Sequence, residues 1–459
     1  MITVSFQAGT LNISGMNTPP GSLAGILRFD DRSRTYRARA CDYAGIILTL
    51  IREKIPFQDQ VKNYRPLDKL PVKEKIIPRS HQARALLDWK NSSCRGIVSL
   101  PTGSGKTVLA IMAIKELQRP ALILVPTIDL LTQWCSTIEH FFDIHCGMLG
   151  GGTRDIQAIT VSTYDSAILN MEFIGDRFAL LIADECHHLP SPENRLCAEM
   201  SIAPFRLGLT ATPELSPEYT DVMTSLMGHI CCNISIGELT GKVLSNYQVR
   251  QLRVTLSPEE SVAYQHHRQI YTAFLRRAAI DFSRPEAWSS FLIACARYPG
   301  GKEALHSFFA QRHIARAGSA KLEMIREIIR RHCRERILIF TADNDAAYTI
   351  GRKFSLPVLT HHTKAAERKE FLELFRQGKY PVLVTSKVLN EGVDVPQVSV
   401  GIIVSGSGSV REHVQRLGRL LRHAPDKELA ILYELVSANT SEESISERRR
   451  THAAYRRTF

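Results

Sequence analysis

At 459 residues the chain exceeds what one hydrophobic core organises, so two or more domains are expected, with 44% hydrophobic residues to fill them. A formal net charge of +12 favours a polyanionic partner, with nucleic acid ahead of a merely soluble basic enzyme. No apolar run approaches the roughly 20 residues of a bilayer span, no basic-then-apolar leader opens the chain, and ten cysteines without C-x-x-C spacing suggest reduced thiols; we expect no membrane partner, no disulfide framework, no structural zinc and a cytoplasmic location.

In chain order, Ile2-Thr3-Val4-Ser5-Phe6 reads as a strand opening a small α+β domain over residues 1–73, which ends in a polar linker near Pro66 to Pro71. Its arginines (Arg28, Arg32, Arg34, Arg37, Arg39) offer a basic face that Asp30 and Asp31 partly neutralise. Gly96 to Leu100 is an apolar run, followed by Pro101-Thr102-Gly103-Ser104-Gly105-Lys106-Thr107 and then a helical pattern through Val108, Leu109, Ile111, Met112 and Ile114. Strand, glycine loop and helix in that order make a phosphate cradle: backbone N–H groups close on phosphate oxygens, Lys106 supplies charge, and the Thr107 hydroxyl can ligate Mg²⁺. Leu100 stands where the strict pattern has its first glycine.

Seventy-eight residues after Lys106, the buried-strand pattern Phe178 to Ala183 delivers Asp184 and Glu185 to the carboxyl edge of a sheet. Two adjacent acids there suit NTP hydrolysis, with Asp184 holding Mg²⁺ and Glu185 orienting or deprotonating the attacking water. His187-His188 has no ligand cluster nearby in sequence, so coupling or packing is expected of it. Gln248 to Leu256 alternates like an opening strand of a second sheet. The insertion Ser257 to Ala317 carries eight Lys and Arg against five Asp and Glu, with nine aromatics in 61 residues. Arg276, Arg277, Phe282 and Trp288 are its candidate nucleic-acid contacts, although most of the rings are expected to form a small core. Arg336 to Phe340, Val382 to Thr385 and Gly401 to Val404 are further strands with helical stretches such as Ala365 to Phe375 between them, giving a second parallel sheet. Arg419 and Arg422 lie three apart on one helix face and are candidate arginine fingers. The basic tail, residues 443–459, reads either as a phosphate-binding arm or as a solubilising end.

These residues resemble the superfamily 2 nucleic-acid helicases, and within them the archaeal XPB-type DNA repair and transcription helicases. The resemblance runs through Thr127 after Val125-Pro126, Ser162-Thr163-Tyr164, Leu209 to Pro213, Asn390 to Pro396 and the Gln415 to Arg422 helix. Phe29 to Arg39, Thr160 to Ala167, Met200 to Thr212 and Ser405 to Ser409 look like segments of the XPB-type subset. It implies an α/β fold of two RecA-like parallel-sheet domains, 74–238 and 239–442, with a small N-terminal damage-recognition-like domain and a helical thumb-like insertion over 257–317. It also implies ATP and Mg²⁺ as cofactors, with Arg79, Gln82, Thr102, Gly103, Ser104, Gly105, Lys106, Thr107 and Asp394 binding nucleotide and Gln82 reading adenine. Lys106, Glu185, Gln415, Arg419 and Arg422 would act in hydrolysis, and His187, Thr210 and Thr212 in coupling. Thr127, Thr163 and Thr385 would hold one DNA strand while two lobes alternately close and release, moving three-prime to five-prime; a nuclease partner and a monomeric state are expected. The family's Arg-Glu-Asp triplet after Thr212 is missing, since Leu215-Ser216-Pro217 stands there and no arginine occurs between Arg206 and Arg250. A duplex translocase that does not separate strands is therefore the alternative, ahead of an RNA helicase or a non-enzymatic binding protein.

Overall fold

The computed structural model describes residues 1–459 apart from 68–69, 213–216, 240–245, 283, 285, 387–397, 406–428 and 451–459. Asp394, Gln415, Arg419, Arg422 and the position of the missing triplet at Leu215-Ser216 lie outside the described residues. The chain forms two units, Met1–Glu238 and Leu239–Phe459.

The first unit opens with a five-stranded sheet in the order Arg28–Asp30, Thr35–Arg39, Thr10–Ser14, Ile2–Gln7, Phe57–Gln60. All neighbours are antiparallel except the last pair. Alternation sets its inner face: Leu11 and Ile13 of Thr10–Ser14 are buried while the residues between them are half-exposed. Helix Tyr43–Arg52 turns Tyr43, Ile46 and Leu50 onto that face. Ile202, from far along the chain, completes the core. Of the arginines, Arg32 and Arg37 reach Asp30 at 3.4 and 3.8 Å, and Arg39 reaches Asp42 at 3.0 Å.

An eight-stranded sheet follows in the order Ile230–Asn233, Arg95–Ser99, Phe205–Thr210, Leu180–Ala183, Ala121–Val125, Ile159–Thr163, Gly147–Gly150, Thr153–Arg154. Its first seven strands are parallel and the last is antiparallel. Ala121–Val125 and Leu180–Ala183 are buried throughout, as continuous apolar runs between two helical layers require. Arg206 is an exception inside this core: fully buried, it donates to the carbonyls of Ala198, Ser201, Ala203 and Leu226. Those bonds fix the segment 198–203 that carries Ile202 into the N-terminal core.

The second unit is built on six parallel strands in the order Asn246–Val254, Leu429–Ser437, Val400–Ile403, Ile337–Phe340, Val382–Thr385, Val358–Leu359. After the first of them, Ser257 and Glu260 form a reciprocal cap that starts helix Pro258–Arg277; helices Ala287–Arg297 and Gly301–Ala317 complete the insertion. The insertion has its own core of Phe274, Phe291, Ala294, Cys295, Ala304 and Phe308. Two parallel-sheet domains, a small α+β N-terminal module and a helical insertion are thus the observed fold, as the sequence led us to expect. No described helix is long and apolar enough to cross a membrane.

Candidate functional site

Parallel order brings the carboxyl ends of Arg95–Ser99, Phe205–Thr210, Leu180–Ala183, Ala121–Val125 and Ile159–Thr163 side by side, with Ser99 opposite Thr210, Ala183 opposite Leu124 and Val125 opposite Thr163. The loop after Arg95–Ser99 turns through Thr102 to Gly105 into helix Lys106–Leu117. Gly103 and Gly105 have φ of +80° and +90°, backbone that costs a side chain roughly 1–2 kcal/mol. At Gly105 a Cβ would also collide with Gln82 Nε2. The turn is braced by two side chains of the preceding helix, Ser80–Asn91. His81 Nε2 lies 2.9 Å from Ser104 O, and Gln82 Nε2 donates to Ser104 O and Gly105 O at 3.2 Å each. Gln82 Oε1 accepts from Arg79 N at 2.9 Å, while Arg79 itself is exposed.

This departs from the expectation for Gln82. Both amide hydrogens are spent on the loop and the side chain is buried, so adenine recognition would require it to leave those partners. Sequence spacing from Arg79 to Gln82 carries a helix start; it carries nothing about a loop 22 residues further on.

Across the edge, Lys106 Nζ donates to Glu185 Oε1 at 3.2 Å, with both side chains about nine-tenths buried. Glu185 has φ of +45°, a left-handed conformation rare for a side-chain-bearing residue and common where function fixes the backbone. His187 Nδ1 stands 3.5 Å from Glu185 Oε2 and 3.4 Å from Thr210 Oγ1; Thr210 Oγ1 in turn donates to Thr212 O and accepts from Thr212 N, both at 3.1 Å. The three residues expected to couple thus form one chain leading from Glu185.

Asp184 is the most constrained group. Its Oδ1 accepts from Glu185 N at 3.0 Å and its Oδ2 from the indole Nε1 of Trp134 at 2.9 Å, while Tyr164 donates to its backbone carbonyl at 3.0 Å. Burial, then the neighbouring Glu185 charge, pushes its carboxyl up to about 6, against the lowering pull of Lys106 and the Trp134 hydrogen bond. Nucleotide and metal fit this set. Thr102 Oγ1 is buried with no partner among the described residues, Thr107 follows Lys106 in the first helical turn, and a carboxylate lies at the same edge. Mg²⁺ is commonly held by so few protein ligands, with phosphate oxygens and water supplying the rest.

Further along the edge, Thr127 caps helix Ile128–Phe141 by accepting from Leu130 N at 3.3 Å. Thr163 caps helix Tyr164–Ile168 through Ser166 N at 3.2 Å and is itself buried. In the second unit Thr385 ends strand Val382–Thr385, where its fully buried hydroxyl donates to Ser386 O at 3.2 Å. As a strand contact through its side chain, Thr385 is therefore not presented by this structure: its hydroxyl is buried and donates to the carbonyl of the next residue. Arg276 is exposed; Arg277 donates to Pro299 O at 2.8 Å and lies over the Phe274 ring at 5.5 Å, so much of its reach is used within the insertion. Phe282 and Trp288 are two-fifths exposed and pack against Phe291 and Phe308.

The sequence alone did not reveal His81, Trp134 or Tyr164. For Trp134 a signal exists: Leu131, Trp134, Cys135 and Ile138 form the inward stripe of one helix, and a buried indole N–H demands an acceptor.

Three family models match: Type III restriction enzyme, res subunit, over residues 75–215; helicase conserved C-terminal domain, over 320–424; and the xeroderma pigmentosum group B helicase damage recognition domain, over 4–61. The DNA 3'-5' translocase XPB2 of Sulfurisphaera tokodaii is 38% identical over 427 residues, covering 92% of this chain and 95% of that one. A putative DNA 3'-5' helicase Rad25 of Haloarcula marismortui is 28% identical over 78% of this chain and 52% of its own, and the DNA 3'-5' helicase XPB of Mycobacterium tuberculosis is 27% identical over 81% and 61%. The helicase domain of Pyrococcus furiosus Hef superposes with a TM-score of 0.56 at 19% identity, covering 81% of this chain and 97% of that domain, a likeness of fold. The 38% identity to the Sulfurisphaera tokodaii translocase, across nearly the whole of both chains, places this protein in the XPB family of superfamily 2 helicases.

Proposed function

We propose that the chain is an ATP-dependent DNA translocase and helicase of repair or transcription, moving three-prime to five-prime as its relatives are named. The observation that carries the reading is the buried Lys106–Glu185 pair beside Asp184, next to a glycine loop whose Thr102 hydroxyl is buried without a partner among the described residues. Lys106 Nζ donates to Glu185 Oε1 at 3.2 Å. When ATP binds, the ammonium turns to the phosphate oxygens, and Glu185 is released to take a proton from the attacking water. The water oxygen bonds to the γ-phosphorus as the bond to the bridging oxygen breaks, leaving ADP and phosphate. Mg²⁺, held by Asp184 and Thr107, would neutralise charge developing on the phosphate oxygens. Backbone N–H groups of residues 103–107 orient the β- and γ-phosphates, and His187, Thr210 and Thr212 carry the change at Glu185 along the sheet edge. Gln415, Arg419, Arg422 and Asp394 are assigned to the same reaction by resemblance.

Thr127, Arg276 and the basic surface supply strand contacts, the protein acts as a monomer with a nuclease as partner, and it works in the cytoplasm. The test measures ATP turnover with single-stranded DNA, duplex and RNA, together with displacement of a labelled strand. DNA-stimulated turnover with strand release supports the helicase. The second reading, duplex translocation without strand separation, is favoured by the lack of any arginine between Arg206 and Arg250. It predicts stimulated turnover and triplex displacement with no release of a paired strand. RNA stimulation exceeding that by DNA would reject both.

A further inference from the structure

Two helices begin at threonines assigned to the nucleic-acid strand, and each sends an aromatic donor to the same acid. From the helix capped by Thr127 comes Trp134, two turns in and 1% exposed; its indole N–H meets Asp184 Oδ2 at 2.9 Å. From the helix capped by Thr163 comes Tyr164, whose hydroxyl meets the Asp184 carbonyl at 3.0 Å. With Glu185 N on Oδ1, each carboxylate oxygen holds one fixed donor and keeps its other lone pair directions for a ligand.

We propose that Trp134 is a positioning residue for hydrolysis: its N–H fixes the Asp184 carboxylate for the metal, and its helix ties strand engagement at Thr127 to that fixation. The inference rests on the nucleotide and DNA reading above. Indole has a single donor, and the bond crosses 50 residues of sequence. A helix displacement of about an ångström takes a 2.9 Å contact beyond hydrogen-bonding distance. Groups that orient a metal ligand through hydrogen bonds commonly contribute about 10- to 100-fold in metal affinity. Trp134 touches neither nucleotide nor metal in this scheme; it acts through Asp184, and Tyr164 steadies the backbone of the same residue.

The experiment uses the full chain and Trp134→Phe, which keeps an aromatic ring in the core, removes the donor and leaves a small cavity where the indole's second ring stood. Mn²⁺ is titrated into protein with a non-hydrolysable ATP analogue, and free Mn²⁺ is read by electron paramagnetic resonance. We expect about 10-fold weaker Mn²⁺ binding, with metal-free analogue binding unchanged, a lowered Tm from the smaller ring, and a smaller weakening of Mn²⁺ binding in Tyr164→Phe. In the wild type, the ¹⁵N-indole resonance of Trp134 should move when the metal–analogue complex binds, and again on adding single-stranded DNA. Unaltered Mn²⁺ affinity in Trp134→Phe overturns the proposal, as does weakening matched by an equal loss of analogue binding without metal. Should the Phe variant fold poorly, the wild-type indole resonance decides: one indifferent to both metal complex and DNA overturns it. A wild type whose ATP turnover ignores DNA sinks the functional reading itself. DNA-stimulated turnover with an indifferent Trp134 sinks only this inference.

Discussion

The carboxyl edge of the first sheet and the helical insertion of the second unit are both dense in chemistry-bearing side chains, yet they use them oppositely. At the first edge the polar groups are buried and face one another: Lys106 on Glu185, Trp134 on Asp184, His187 on Thr210, Gln82 on the loop backbone. Few exposed atoms advertise the site, and what it offers a ligand is obtained by exchanging partners already in place. In the insertion most charged groups are exposed and the aromatics face one another, with Phe274, Phe291 and Phe308 in the centre and the half-buried Arg312 stacked 4.7 Å over the Phe308 ring. Exchange of buried partners suits chemistry that must be switched by a ligand; a rigid aromatic centre under a basic surface suits a grip that yields to salt.

The sharpest way to break this contrast is at the first edge. Lys106→Ala should reduce ATP turnover by about 10³-fold, with circular dichroism checking the fold, since the change leaves the buried Glu185 carboxylate without its ammonium partner. Turnover within tenfold of wild type would remove Lys106 from the chemistry. Arg422→Ala, outside the described residues, should lower turnover by on the order of 10³ while leaving ATP affinity nearly constant, the mark of an interaction made in the transition state. An effect on affinity alone would make it a binding residue.

In the insertion the expected loss is of stability. Phe291→Ala empties the middle of its small core and should destabilise the second unit by about 3–5 kcal/mol, read by thermal unfolding, with nucleotide binding by the first unit retained. Smallest of all, Arg276→Ala should lower the slope of log affinity for DNA against log salt by about 1 without changing turnover at saturating DNA. A flat salt dependence in the wild type between about 50 and 200 mM would remove phosphate tracking from the account altogether.

What the sequence disclosed and what it withheld divide along the range of the interactions. Apolar runs such as Leu180–Ala183 and Ala121–Val125 are local and can have few meanings besides a strand covered on both faces. The glycine loop between strand and helix is equally local, so the cradle and the acids at Asp184 and Glu185 could be named from order and spacing. Withheld were contacts that only the assembled sheet creates. Gln82 reaches the loop, Trp134 reaches Asp184 across 50 residues, and the Thr385 hydroxyl turns back onto Ser386 O. Nor does any pattern announce that Glu185 takes a left-handed backbone, since that conformation is imposed by the turn from strand Leu180–Ala183 into the short helix Cys186–His188.

The central claim is that DNA governs ATP chemistry carried out by Glu185 at the edge of the first sheet. Phosphate release followed in real time, with and without a three-prime-tailed duplex, for wild type and Glu185→Gln, tests it directly. The account predicts release accelerated by DNA in the wild type and lost by about 10²- to 10⁴-fold in the variant, which still binds ATP. Release that ignores DNA, or that survives Glu185→Gln, would contradict it.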